Sequence, residues 1–197
     1  MKIKLCGVRT VADALLCAEE GADEIGVIFA ARSRRRVTVQ EAKAIRDALP
    51  AQVPLVGVFF DAELSEVVRV ADEVGLQAAQ LHGAWPAATA RFPLYAALQV
   101  TSEDSLQPRP GAARILLDGP AAGSGKSFAW SLAGRARALL GGELFVAGGL
   151  TPENVARAIA EARPSGVDVA SGIEGEDGYK DGQRVRAFVR AARGASR

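Results

Sequence analysis

A thiol, a carboxyl group, an imidazole and a run of guanidinium groups each stand at the end of a short aliphatic stretch in this chain. Cys6 closes "KIKLC", His82 closes "AAQLH" and Asp118 closes "RILLD", while Arg32, Arg34, Arg35 and Arg36 crowd the segment that follows "EIGVIF". A buried valine would serve the end of a first strand better than a thiol, so Cys6 is read as a proton carrier. Asp118 suits a turn or a helix cap, but Gly119 and Pro120 follow it and oppose an immediate helix, which makes a catalytic acid the sharper reading. His82 is the only histidine; an orienting or hydrogen-bonded core role is the simpler account, and its place at a strand end keeps a substrate contact open. The arginine run is either solvated surface or the source of one guanidinium that clamps a carboxylate through two parallel hydrogen bonds.

Two further segments bear on ligand charge. "VAGGLTPENV" carries Gly148 and Gly149, and "DVASGIEG" carries Ser171 and Gly172. Glycines in such places allow tight turns, and their backbone N–H groups also cradle phosphate; two such loops in succession favour phosphate. "GSGKSFAW" looks like part of a nucleotide-binding loop but lacks the first glycine at the required spacing, so it is read as a Gly- and Ser-rich loop able to close over a ligand, with Lys126 at its tip. Cys17 lies within a helical pattern and is read as a small packing residue. Taken together, the thiol, carboxyl, guanidinium and glycine-rich turns suit an anionic substrate that undergoes proton transfer.

Such groups converge only if the elements carrying them do. Eight short runs have strand character: Ile3 to Cys6, Glu24 to Phe29, Pro54 to Phe59, Ala78 to Leu81, Leu94 to Val100, Arg114 to Leu117, Leu144 to Val146 and Gly166 to Val169. Helical spacing separates several of them, as in Val11, Leu15 and Ala18, or Val67, Val70, Ala71 and Val74, or Val155, Ala158 and Ile159. Thr10 and Thr151 precede helices as caps, with Pro152 at a first helical position, and Gly21 and Gly75 close two others. Alternation of this kind demands parallel strands with right-handed crossovers, and eight units of about 25 residues each favour a single (βα)8 TIM barrel, one domain spanning 1–197, over an open sheet. Pro86, Pro93, Pro108 and Pro110 predict short or irregular helices between the fourth and sixth strands. In a barrel the active site lies at the C-terminal strand ends, where Cys6, Arg35, His82, Asp118 and both glycine-rich turns fall.

Composition narrows the partners. The 24 basic and 23 acidic side chains leave a formal charge of +1, so no global field draws the chain to nucleic acid or to an anionic membrane. Two cysteines give no disulfide framework, and a single histidine gives no metal-type spacing. No export signal and no apolar run of about 18 residues is found, so the reducing cytoplasm fits best.

In order, "KLCG", "GADEIGVIFAARSRRRV", "VGVFFD", "QLHG", "ILLDG", "GSGKSFAW", "AGGLTPENV" and "DVASGIEGEDGYKD" resemble the motifs of the phosphoribosylanthranilate isomerase family of tryptophan biosynthesis, over Lys2 to Phe188. The resemblance implies a barrel that converts N-(5-phosphoribosyl)anthranilate to the carboxyphenylamino-deoxyribulose phosphate without cofactor or metal, acting as a monomer or homodimer. It implies Cys6 as general base, Asp118 as general acid and Arg35 as the carboxylate-binding arginine. Arg35, His82 and Asp168 are then the substrate contacts, and Gly148, Gly149, Ser171 and Gly172 the phosphate site. The chain departs from the family's pattern by offering Arg34, Arg35 and Arg36 where one arginine precedes an aromatic residue, and by Ala129 where an aspartate precedes the loop-six tryptophan. A cysteine base marks the single-substrate family rather than a dual-substrate isomerase that also serves histidine synthesis. The rivals are another phosphosugar-processing barrel and a barrel that binds a phosphorylated metabolite without turning it over.

One pairing follows from barrel closure. Lys4 lies two residues before Cys6 on the same strand face, and closure sets the last strand, with Asp168, beside the first. A buried Lys4–Asp168 pair beneath the site is expected, either purely structural or helping to ionise Cys6.

Overall fold

The computed structural model describes residues 1–119, 130 and 132–195. The loop-six positions Lys126 and Ala129 lie outside them. Eight parallel strands close into a barrel in chain order: β1 Lys2–Cys6, β2 Glu24–Ile28, β3 Leu55–Phe60, β4 Ala78–His82, β5 Leu94–Gln99, β6 Arg114–Asp118, β7 Glu143–Ala147 and β8 Gly166–Val169. All eight predicted strands are present within one or two residues of their expected ends. The outer layer holds α1 Val11–Glu19, α2 Val39–Ala48, α3 Leu64–Val74, α4 Leu132–Leu140, α5 Val155–Ala162 and α6 Gly182–Ala195. No α-helix forms between β4 and β5, and only a 3-10 turn, Glu103–Ser105, stands between β5 and β6, where the prolines remove N–H donors and fix φ.

Local chemistry sets the helix ends. The Thr10 hydroxyl accepts from the Asp13 N–H at 3.0 Å, and Thr38 with Glu41 forms a reciprocal capping box. Gly75 ends α3 in the left-handed region at φ 78°. The expected start of α5 at Pro152 is not what forms. Thr151 donates its N–H to Asn154 Oδ1 at 2.8 Å, and Asn154 Nδ2 donates to the Gly149 carbonyl at 2.9 Å. That clip holds residues 151–154 as a turn, and the helix begins at Val155.

Strand alternation divides the barrel into two cores. Ile3 and Leu5 of β1 face outward into the large apolar layer under the helices, which also takes Ile25, Leu117, Leu144 and Val167. The opposite face of each strand fills the interior, where Ala97, Leu116, Phe145 and Ala147 form a small separate cluster. Among the described residues no helix is long and apolar enough to cross a membrane.

Below that cluster the interior is polar. Arg114 is 2% exposed and makes two hydrogen bonds to Glu24, at 2.6 and 2.7 Å, and two to Glu143, at 3.0 and 2.9 Å. Its guanidinium also stacks between Tyr95 and Phe145, with ring centroids 4.1 and 3.8 Å away. A guanidinium this deep is tolerable because its N–H groups and charge are matched. Replacing Arg114 with Met strands the buried Glu24 carboxylate. Urea unfolding should then show a loss of about 3–5 kcal/mol, most of it recovered in an Arg114→Met/Glu24→Gln double variant. A single variant as stable as the parent would mean the network carries no such constraint.

Candidate active site

The C-terminal ends of the strands surround a cavity of about 360 Å³, a size that suits a small-molecule ligand. Cys6, Arg35, His82, Asp118, Gly148, Gly149, Asp168 and Ser171 all line it. The barrel thus brings together residues that are up to 165 positions apart, from Cys6 to Ser171. Gly172 does not line the cavity: its Cα lies against the Leu150 carbonyl, so close that no side chain would fit. Sequence reasoning missed Gln80 and Gln99, which also line the cavity. Gln80 stands two residues before His82 and shares its face, so period-two alternation was the available signal; Gln99 is the last residue of β5, hidden by extending that strand to Val100.

The floor is the expected ion pair. Lys4 Nζ donates to Asp168 Oδ1 at 3.0 Å, the two residues being direct partners in the β1–β8 register, and Lys4 is 1% exposed. Burial alone would lower the Lys4 pKa, but the charges of Asp168 and Cys6 and the bond to Asp168 hold it above its usual value. Gly26 on β2 makes room for this arrangement. A Cβ there would stand 2.7 Å from Cys6 Sγ and 3.2 Å from Lys4 Nζ, so thiol and ammonium converge over a position with no side chain.

Cys6 is 5% exposed, and burial pushes its pKa up; the Lys4 charge, and less so that of Lys180, pulls the other way, while Asp168 adds to the rise. The net direction is upward. At the thiol the Lys4 charge outweighs that of Asp168, so the ion pair moderates the rise that burial causes. Asp118, across the cavity, is pushed up to about 6 by burial and by the Asp168 charge, against the pull of Lys4. A carboxyl in that range is able to hold a proton near neutrality and give it up. His82 is pushed down to about 4, first by burial and then by Lys4, so its ring is neutral. With the Gln80 amide nitrogen 2.9 Å from Nε2, the imidazole accepts there and carries its proton on Nδ1.

Arg35 comes from the loop after β2. Its Nε and Nη2 donate to the two carboxylate oxygens of Glu174 at 2.5 and 2.8 Å, and its side chain is 18% exposed at the cavity wall. Arg34 is 75% exposed and does not line the cavity, so the fold distinguishes between the neighbouring arginines. On the far side, Gly148 at φ 83° leaves no room for a Cβ against the Gly119 backbone, and Gly149 at φ 64° faces open space. Both need the left-handed region that glycine enters freely.

The sequence model of N-(5'phosphoribosyl)anthranilate (PRA) isomerase matches residues 3–191. The N-(5'-phosphoribosyl)anthranilate isomerase of Pseudomonas fluorescens is 42% identical over 204 residues, covering 98% of this chain and 98% of that protein. The chain belongs to this isomerase family. The enzyme of the same name from Rubrobacter xylanophilus is 44% identical over 205 residues, with 98% of each chain covered. Among solved structures, phosphoribosyl anthranilate isomerase from Thermotoga maritima superposes with a TM-score of 0.88 at 36% identity, covering 98% of this chain and 99% of that one. A phosphoribosyl anthranilate isomerase in complex with reduced 1-(o-carboxyphenylamino)-1-deoxyribulose 5-phosphate gives a TM-score of 0.86 at 35% identity, with 98% and 99% covered. Family membership and the barrel both agree with the motif resemblance.

The electrostatics predict a measurable coupling within the free protein. Carbon-13 NMR of the carboxyl groups should show Asp118 titrating near 6. In Asp168→Asn its midpoint should move down, because one negative charge is lost and Lys4 is left uncompensated. An unmoved midpoint would assign the whole shift to burial.

Proposed function

We propose that this chain isomerises N-(5'-phosphoribosyl)anthranilate to the carboxyphenylamino-deoxyribulose phosphate, in the tryptophan pathway of its family, with Cys6 as general base and Asp118 as general acid. The observation that carries the residue roles is that a thiol and a carboxyl group with a raised pKa line one cavity from β1 and β6. The substrate is an aminoaldose. Protonated Asp118 gives its proton to the ribose ring oxygen, the C1–O bond breaks as the anilino nitrogen donates its pair, and an iminium results. That cation acidifies the hydrogen on sugar C2. Cys6 thiolate removes it, and the electron pair forms a C1–C2 double bond while neutralising the nitrogen. The enolamine then tautomerises, losing the C2 hydroxyl proton and gaining one at C1, to give the ketone. Burial disfavours the thiolate in the free protein, and the iminium supplies a positive charge beside it when one is needed.

Position is the rest of the catalysis. Phosphate is held by the backbone of Gly148, Gly149 and Ser171, with Gly172 only shaping the turn behind them, and the ring carboxylate by Arg35, so the reacting carbons lie between acid and base. Asp168 and the neutral ring of His82 are the remaining substrate contacts. The reading includes one domain over 1–197, residence in the cytoplasm, and a chain that works as a monomer or homodimer without cofactor.

Acid and base must carry opposite protonation states, Asp118 neutral and Cys6 ionised. With Asp118 near 6 and Cys6 higher, the fraction in that form climbs with pH up to about 6 and is then level through neutrality, because one group gains what the other loses. The expected kcat/KM profile rises to a break near 6, stays flat through neutrality and falls once Cys6 is fully ionised. In Asp118→Asn the break should vanish and the residual rate should climb with pH as Cys6 ionises; a break that persists belongs to the substrate phosphate, whose second pKa is also about 6. Cys6→Ala and Asp118→Asn should each bind the reduced product analogue yet turn substrate over at least about a hundredfold more slowly. Parental turnover in both would defeat the assignment.

A further inference from the structure

We propose that Glu174 is the positioning residue for the substrate carboxylate: it grips one edge of the Arg35 guanidinium and thereby aims the free edge into the cavity. This rests on the reading of Arg35 as the carboxylate clamp. Glu174 stands just past the 3-10 turn Ser171–Ile173 that follows β8, with its side chain 4% exposed. Lys180 Nζ reaches Glu174 Oε1 at 3.2 Å and the Ala170 carbonyl at 2.9 Å, and Glu174 and Lys180 are partners in an antiparallel bridge. The carboxylate is thus fixed from the backbone and by Lys180 at Oε1, the same oxygen that accepts from Arg35 Nε.

The geometry of the fork decides what Arg35 has left to offer. A guanidinium has five N–H groups on three nitrogens. Glu174 takes Nε and one hydrogen of Nη2, the side-on edge. Both hydrogens of Nη1 and the second of Nη2 remain, and one from each of these nitrogens forms an end-on edge that also matches a carboxylate bidentately. Two carboxylates therefore share one arginine without competing for a donor. A ligand that displaced Glu174 would instead have to strand a buried carboxylate beside Lys180. The arginine stem is held as well: a Cβ on Gly7 would stand 2.5 Å from Arg35 Cδ, so the chain lies directly across that glycine. Held at stem and edge, Arg35 loses little conformational freedom when the ligand arrives.

The test compares two ligands by calorimetry: reduced 1-(o-carboxyphenylamino)-1-deoxyribulose 5-phosphate and the same molecule without the ring carboxyl. The parent protein should prefer the carboxylated compound by at least about tenfold, as a charged hydrogen-bonded pair does. In Glu174→Gln that preference should largely vanish, with the carboxyl-free compound binding within about twofold of the parent. Arg35→Met/Glu174→Gln should be no worse than Arg35→Met alone, since Glu174 acts through Arg35. Glu174→Asp, which keeps the charge on a shorter arm, should retain an intermediate preference and serves if the Gln variant does not fold. A parental or stronger preference in Glu174→Gln, or in Glu174→Asp if only that variant folds, overturns the proposal; so does an equal loss for both ligands. No preference in the parent protein would defeat the Arg35 reading itself, and this proposal with it.

Discussion

The electrostatics of the site turn on one ion pair. Lys4 and Asp168, from opposite ends of the chain, meet at 3.0 Å where the barrel closes between its first and last strands. Each titrating group at the mouth feels it: Lys4 pulls Cys6 and Asp118 down and lowers His82, while Asp168 pushes Cys6 and Asp118 up. A buried pair of this kind adds little net stability, because desolvation offsets the Coulomb attraction. Its value here is directional. It places a positive charge near the sulfur and a negative one within range of the carboxyl, so base and acid are biased from a single fixed dipole.

At Cys6 that bias operates against burial, and burial is stronger; at Asp118 the Asp168 charge adds to burial. Both proton carriers lie above their ordinary values. For Asp118 the rise suits the acid role proposed above, since an acid must hold its proton near neutrality. For Cys6 it opposes the proposed base role until substrate supplies a cation. The site is therefore matched to a reaction that develops positive charge between the two groups, and an iminium intermediate is such a charge. The Glu174–Arg35–Lys180 network meets the same demand for the opposite sign. On the reading proposed above, it presents an arginine whose own counter-charge is already in place, so a carboxylate would be received without leaving a buried group unpaired.

Much of this was legible in the sequence because it obeys local rules. The eight strands announce themselves by aliphatic runs, and barrel closure then puts Asp168 beside Lys4 without any further information. Cys6 and Asp118 stand out because polar residues at C-terminal strand ends serve packing poorly. The prolines from Pro86 to Pro110 pointed to short or irregular helices, and the structure goes further, with no helix after β4 and only a 3-10 turn after β5. The start of α5 was misplaced by three residues because Asn154 reaches back to Gly149, a contact no capping rule contains. Glu174 and Lys180 were not found at all: in "SGIEGEDGYKD" they are two charges among several, and only the hairpin bridge and a partner 139 residues away mark them as buried. Which of Arg34, Arg35 and Arg36 lines the cavity was hidden for the same reason, since loop geometry rather than periodicity points Arg35 inward.

The central claim, that Lys4 moderates the thiol it underlies, is open to direct titration. In a Cys17→Ala background, which leaves Cys6 as the only thiol, thiolate absorbance is followed against pH with and without Lys4→Met. The account predicts that the Cys6 midpoint moves upward when the ammonium is lost. A midpoint that stays put, or moves down, would contradict it.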